Sequence, residues 1–171
     1  MMLAMTRDTE AEYDEWFRAC FPRAVTMARR VLGPEGAEDA ALEAFAIAFA
    51  RWRRVRDLPY RDGWVLKVAF HEALRQAHRR QPRARPADPY ASSEDEVVLR
   101  RTLVQALLHL PRRQREAVAL RYLVDLPERE VASVLGLSTG TVKTHLHRGL
   151  AGLRQVLGPE SPGGDPDGSF L

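Results

Sequence analysis

The chain has 171 residues, 26 Lys/Arg against 23 Asp/Glu, 45% hydrophobic residues and a single cysteine, Cys20. That length holds one ordinary domain or two small ones and leaves little room for a large enzyme core. No stretch approaches the roughly 20 uncharged apolar residues of a membrane span, and one cysteine excludes an internal disulfide framework or a multi-cysteine metal site. The N-terminal stretch MMLAMTRDTEAEYDEW has no basic flank followed by an apolar core, so the expectation is a cytoplasmic protein without a secretory signal.

Charge is segregated along the chain. Residues 1–87 carry +4, residues 88–96 carry −4, residues 97–157 carry +6 and residues 158–171 carry −3. Two basic bodies joined by an acidic connector suit a nucleic-acid partner, which responds to local field and not to the total. Arg supplies 24 of the 26 basic residues, a compositional bias that leaves a merely solvated basic surface as the other reading of charge alone.

Helical periodicity fills the chain in order. Tyr13, Phe17, Phe21, Val25 and Ala28 recur at three- and four-residue spacing, with Pro22 expected to kink or divide that helix because it lacks an N–H donor. Gly33-Pro34-Glu35-Gly36 ends it. Ala41, Phe45, Ala48, Phe49 and Trp52 make a second amphipathic helix, whose acidic start at Glu38 and Asp39 suits the positive end of the helix dipole. Asp57 to Gly63 interrupts; Trp64, Val68 and Ala69 then begin a third helix, which ends in Arg75, His78, Arg79 and Arg80. Pro82, Pro86 and Pro89 mark a linker. Ser93 with Glu96 forms a capping box, and Leu99, Leu103, Leu107 and Leu110 follow at helical spacing. Pro111 opens a helix running to about Leu123, and Pro127 opens a short one closed by Gly136. Ser138 caps the last, with Val142, Leu146, Leu150, Leu153 and Leu157 as one stripe until Gly158-Pro159. No alternating β-branched run appears, so the fold class is all-α: two small helical domains joined by a Pro-rich acidic linker.

PEREVASVLGLSTGTVKTHLHRGL has the parts of a helix-turn-helix in their places. Ala132 is small where the helices meet, Gly136 supplies the positive φ of the turn, and Val142 plugs the interface. The second helix then offers Thr139, Thr141, Lys143, Thr144, His145 and Arg148 near its N-terminus, the end that enters a major groove. A helical hairpin with a polar outer face is the alternative.

The stretch LVQALLHLPRRQREAVALRYLVDLPEREVASVLGLSTGTVKTHLHRGLAGLRQVL resembles domain 4 of the extracytoplasmic-function class of bacterial RNA polymerase sigma factors. YDEWFRACFPRAVTMARRVLG, AEDAALEAFAIAFARW and GWVLKVAFHEALRQAHRR follow the order of domain 2 in the same family. The resemblance covers residues 12 to 157 and implies domain 2 over 10–81, a linker over 82–95, domain 4 over 96–157 and a disordered tail over 158–171. It also implies a transcription initiation factor that recruits core RNA polymerase to promoter DNA and assists melting. Such a factor has no catalysis, cofactor, metal or small-molecule substrate of its own, and an anti-sigma protein is a further partner to consider.

By the same resemblance, Ser138, Thr139, Thr141, Lys143, Thr144, His145 and Arg148 meet the minus-thirty-five element. Arg56, Tyr60, Arg61, Trp64, Lys67, His71, Arg75 and His78 meet the minus-ten element, with the VRDLPYRDGW loop enclosing a flipped base; the alternative for that loop is an ordinary turn with Tyr60 packed inward. Glu38, Asp39, Leu42, Glu43 and Phe45 would dock on polymerase. Two positions depart from the family pattern, Leu42 for a common Gln and His71 for a frequent Asn. The rival class is a LuxR-like regulator, which shares the TVKTHL string but needs a receiver or sensing domain, for which residues 1 to 87 show no strand pattern. Asp39 and Glu43 share a helix face, yet no His, Ser or metal ligand can be placed with them as an enzyme would require.

Overall fold

The computed structural model describes residues 7–79 and 94–158. The Pro-rich linker, the Ser93 cap and the tail beyond Gly158 lie outside those residues. All regular structure among the described residues is helical: α1 (Arg7–Leu32), α2 (Ala37–Ala50), α3 (Trp52–Val55), α4 (Arg61–Arg79), α5 (Glu94–His109), α6 (Arg112–Val118), α7 (Glu128–Leu135) and α8 (Thr139–Leu157), with a π-helical turn over Ala119–Leu123 continuing α6.

The first four helices form one group, in which α1, α2 and α4 pack on one another. Gly33 and Gly36, both at φ +83°, make the turn between α1 and α2. The inner face of α2 is Ala37, Ala40, Ala41, Ala44 and Ala48, all fully buried, so its neighbours approach closely. Aromatic rings fill the space this leaves. Trp16 lies 5.0 Å from Phe45 and Tyr13 lies 5.1 Å from Trp52, and the Tyr13 hydroxyl donates to the Phe45 carbonyl at 2.8 Å. Burial pushes the Tyr13 phenol and the Cys20 thiol each up to about 12, which leaves Cys20 a small, inert core residue.

Two expectations need correction. Pro22 does not divide α1: the helix continues unbroken to Leu32. The proline faces solvent, where the freed carbonyl one turn back can hydrate, while Cys20, Ala24 and Val25 anchor both sides in the core. Leu99 is not a core residue, being 67% exposed. Only the later turns of α5, through Val104, Ala106 and Leu107, reach the interior.

The last four helices form the second group, in which α8 packs on α5, α6 and α7. Val142, Leu146, Gly149 and Leu153 are its buried stripe. At Gly149 α8 approaches α6 closely: a Cβ there would stand 2.7 Å from Val118 Cγ2. The helix expected from Pro111 to about Leu123 is present, but its last turn widens, with the Val124 N–H bonding the Ala119 carbonyl at 3.1 Å.

The two groups touch along a seam where α4 meets α5, α7 and the π turn, and α1 meets α5. No helix among the described residues is long and apolar enough to cross a membrane.

Candidate nucleic-acid interface

The helix-turn-helix is built from local sequence. Gly136 closes α7 at φ +65°, the left-handed region where a side chain is strained. Ser138 then turns extended and its hydroxyl accepts from the Thr141 N–H at 3.1 Å, satisfying one of the free donors at the start of α8. With Val142 buried, the helix turns Thr139, Thr141, Lys143, Thr144 and Arg148 outward. Lys143 has only a weak neighbour, the Glu128 carboxylate at 3.9 Å, and exposed pairs of that kind contribute about 0 to 1 kcal/mol, so a phosphate or base edge can replace it.

His145 is less open than its neighbours: it sits beside the Val142–Leu146–Gly149 stripe, half-buried, with Nδ1 buried and without a hydrogen-bond partner. His147, outside the expected set, is exposed and lies four residues after Lys143 and three after Thr144, a spacing that places it over the same face.

The second cluster surrounds the start of α4. Tyr60 adopts φ +55° and is 43% exposed, so the ring is not packed inward. Arg61 is anchored from three directions: Glu12 at 3.4 Å, and the Trp16 and Trp52 rings at 5.8 and 5.6 Å from its guanidinium carbon. Arg56 pairs with Glu12 and Asp57, each at 3.5 Å. The Trp16 indole donates to Asp62 at 2.7 Å, and Asp62 also lies 3.7 Å from Arg23. These contacts hold an open cleft of about 520 Å³ whose walls include Arg23, Arg56, Tyr60 and Arg61. A strained, solvent-facing aromatic beside three guanidinium groups can stack a base and neutralise its phosphates. Trp64, expected in this surface, instead packs its ring partly into the core.

Along α4, Lys67, His71, Arg75 and His78 do share a side, but they are not equally open. Arg75 and His78 are exposed, with Arg75 paired to Glu72 on its own helix. Lys67 donates to the Val134 carbonyl of α7 at 3.4 Å, and His71 Nε2 lies 3.2 Å from Glu116 of α6. Burial lowers the Lys67 pKa, against the attraction of Glu116. Glu116 is 1% exposed and also takes Arg112 at 3.0 Å and Arg113 at 3.3 Å. Burial alone would raise its carboxyl, but the hydrogen bonds and charges of His71 and Arg112 override that and hold it down to about 2.

The third candidate surface is the outer side of α2. Glu38, Asp39, Leu42 and Glu43 are exposed there, with Glu38 4.0 Å from Arg29. Phe45 is a correction: at 1% exposure, beneath Trp16 and Phe17, it is a core residue and not part of the exposed side. Phe49 is exposed instead, two turns after Leu42 on the same side. No group of three or more His, Cys, Asp or Glu among the described residues could hold a metal ion.

Comparison with known proteins agrees with this geometry. The family model for sigma-70, region 4, matches residues 100–153, from α5 through most of α8. The RNA polymerase sigma-E factor of Streptomyces coelicolor is 30% identical over 152 residues, which are 85% of this chain and 86% of the relative. The ECF RNA polymerase sigma factor SigW of Bacillus subtilis is 28% identical over 145 residues, 71% of this chain and 75% of the relative. Among solved structures, CnrH in complex with the cytosolic domain of CnrY has the same fold, with a TM-score of 0.60 at 21% identity, over 89% of this chain and 91% of that one. The sigma factor RpoE of Bartonella quintana, solved with the anti-sigma factor NepR, has a TM-score of 0.55 at 18% identity, over 88% of this chain and 99% of that one. The chain belongs to the sigma-70 family of bacterial RNA polymerase sigma factors, in the extracytoplasmic-function class. It is a transcription initiation factor that directs RNA polymerase to promoters; the LuxR-like reading falls, since the likeness to sigma factors runs through both helical groups and the first group holds no receiver.

Proposed function

We propose that the chain recognises the minus-thirty-five element with the outer face of α8, through Thr139, Thr141, Lys143, Thr144, His147 and Arg148 after the Ser138 cap. The observation carrying this reading is the combination of a serine-capped helix start, a left-handed glycine turn and an outward row of hydroxyls and cations. On this reading α1 to α4 are sigma domain 2 and α5 to α8 are sigma domain 4. The cleft at Tyr60 with Arg56 and Arg61 receives an unstacked base of the minus-ten element, and Lys67, His71, Arg75 and His78 follow the non-template strand. Leu42, Glu43, Asp39 and Phe49 dock on core polymerase. The factor acts in the cytoplasm without catalysis of its own, and the likeness to RpoE, solved with the anti-sigma factor NepR, supports a protein inhibitor for this chain as well.

Loss of a base-edge contact typically costs about 1 to 3 kcal/mol. Alanine at Lys143 and at Arg148 should therefore each weaken holoenzyme binding to a promoter duplex by roughly fivefold or more at physiological salt. Binding unchanged in both variants would remove α8 from the groove.

A further inference from the structure

A second cleft, sharing no residue with the one at Tyr60, opens where the later turns of α4 face the end of α5 and the start of α6. Its volume is about 260 Å³, close to the lower end of small-ligand pockets at about 300 Å³. Leu74 and Leu108 give it apolar surface, and the other side chains around it are all basic: His71, Arg75 and His78 from α4, Arg112 and Arg115 from α6. No carboxylate is among the described residues that line it. The two acids that reach these cations are already engaged, Glu72 by Arg75 and Glu116 by His71, Arg112 and Arg113. Glu43 of α2 acts on Arg75 at longer range. Arg115, half-buried, and His78 have no side-chain hydrogen bond or ion pair among the described residues. A guanidinium that has lost part of its water and gained no acceptor favours an anion beside it.

We propose that this cleft is a binding site for a free nucleotide, with its phosphates on Arg75, Arg112 and Arg115 and its base against Leu74 and Leu108. The planar guanidinium fork can hold two phosphate oxygens at once, and three such forks from two helices border one opening. The flat base fits the remaining surface, since leucine side chains and guanidinium faces both take an aromatic ring. An inorganic anion would leave the two leucines wet, and a single carboxylate would occupy one fork of the three. The residues that α5 and α6 supply separate this site from the promoter surfaces: Leu108, Arg112 and Arg115 lie neither on the outer face of α8 nor along the strand path of α4, although His71, Arg75 and His78 are shared with that path.

Titration calorimetry on the full-length chain tests it, with ADP as the probe and adenosine and inorganic pyrophosphate as its two halves. ADP should bind at least tenfold more tightly than either half; ADP no tighter than pyrophosphate would reduce the cleft to an anion patch and overturn a nucleotide site. Arg115→Gln should weaken ADP at least fivefold. The Arg53→Gln, Arg54→Gln chain, which loses two exposed cations of α3, should stay within twofold of the native affinity. Equal loss in both would mean diffuse attraction to a basic chain and would overturn the site. Leu108→Ala separates base from phosphate: it should weaken ADP and leave pyrophosphate binding native, which also reports an intact fold, and native ADP affinity there would remove the base from this wall. With core polymerase added, the Arg115→Gln chain should melt a promoter as the native chain does, read by permanganate-reactive thymines. Loss of melting together with loss of ADP binding would make Arg115 part of the promoter surface and overturn a separate ligand site.

Discussion

Glu116 is the residue where the chemistry of this fold concentrates. A carboxylate with 1% of its surface exposed survives only because His71, Arg112 and Arg113 surround it, and removing a partner from such a pair typically costs about 3 to 5 kcal/mol. Its pKa falls from an ordinary 4.5 to about 2 on folding, so the folded state holds the charged form more tightly than the unfolded chain does. Stability from this group is therefore complete above pH 4.5 and is lost as the pH falls towards 2, an effect on the order of 3 kcal/mol. Urea unfolding of the native chain at pH 7, 4.5 and 2.5 should show that acid loss, and Glu116→Gln should flatten it over the same window. A variant with the native pH dependence would mean that other carboxylates carry it. None of this was legible beforehand, since RRQRE reads as a solvated basic helix start and the third partner, His71, is 45 positions away. Phe45 was legible and was misplaced: its spacing from Ala41 and Ala48 puts it on the core stripe, and Phe49 is the ring one turn on that faces out.

At the scale of elements, the helices and their ends are where local chemistry decides. The Ser138 cap and the left-handed Gly136 follow from which short side chains satisfy free N–H groups or tolerate positive φ, and the acidic start of α2 complements the helix dipole. The π turn after α6 is different, because an extra residue per turn is tolerated only where the neighbouring packing accepts it, and the sequence from Ala119 to Leu123 carries no sign of it. The approach of α8 to α6 at Gly149 is likewise a tertiary fact with a testable sign. In an exposed helix Gly→Ala stabilises by up to about 1 kcal/mol. Here the added methyl would meet Val118 Cγ2 at 2.7 Å, and overpacking of that kind costs about 1 to 3 kcal/mol. Gly149→Ala should therefore lower the urea midpoint despite its better helix propensity; a raised midpoint would show that the two helices can move apart without loss.

Over the whole molecule, charge segregation and proline placement made the two helical bodies and their order readable, while the seam between them was not. Its contacts join residues more than 40 positions apart through a lysine, a histidine, a glycine and a valine, types that carry no pairing signal. The surface proposed to meet polymerase is the outer side of α2, where exposed Asp39 and Glu43 flank exposed Leu42, with Phe49 two turns on. An apolar patch edged by exposed acids fits a basic, partly apolar partner surface: the ring and the leucine would supply buried area, and the acids orientation and encounter rate. Charge reversal separates docking from folding, because both acids project into solvent and neither supports the core. An Asp39→Lys, Glu43→Lys chain should keep the helical circular dichroism of the native protein and lose tenfold or more in affinity for core polymerase, about 1.4 kcal/mol or more, with the deficit narrowing as salt screens the new repulsion. Phe49→Ala should weaken binding too, but with the native salt dependence, since it removes area and no charge. Native affinity in both variants would exclude this face, and an identical salt profile in both would exclude an electrostatic role for the acids.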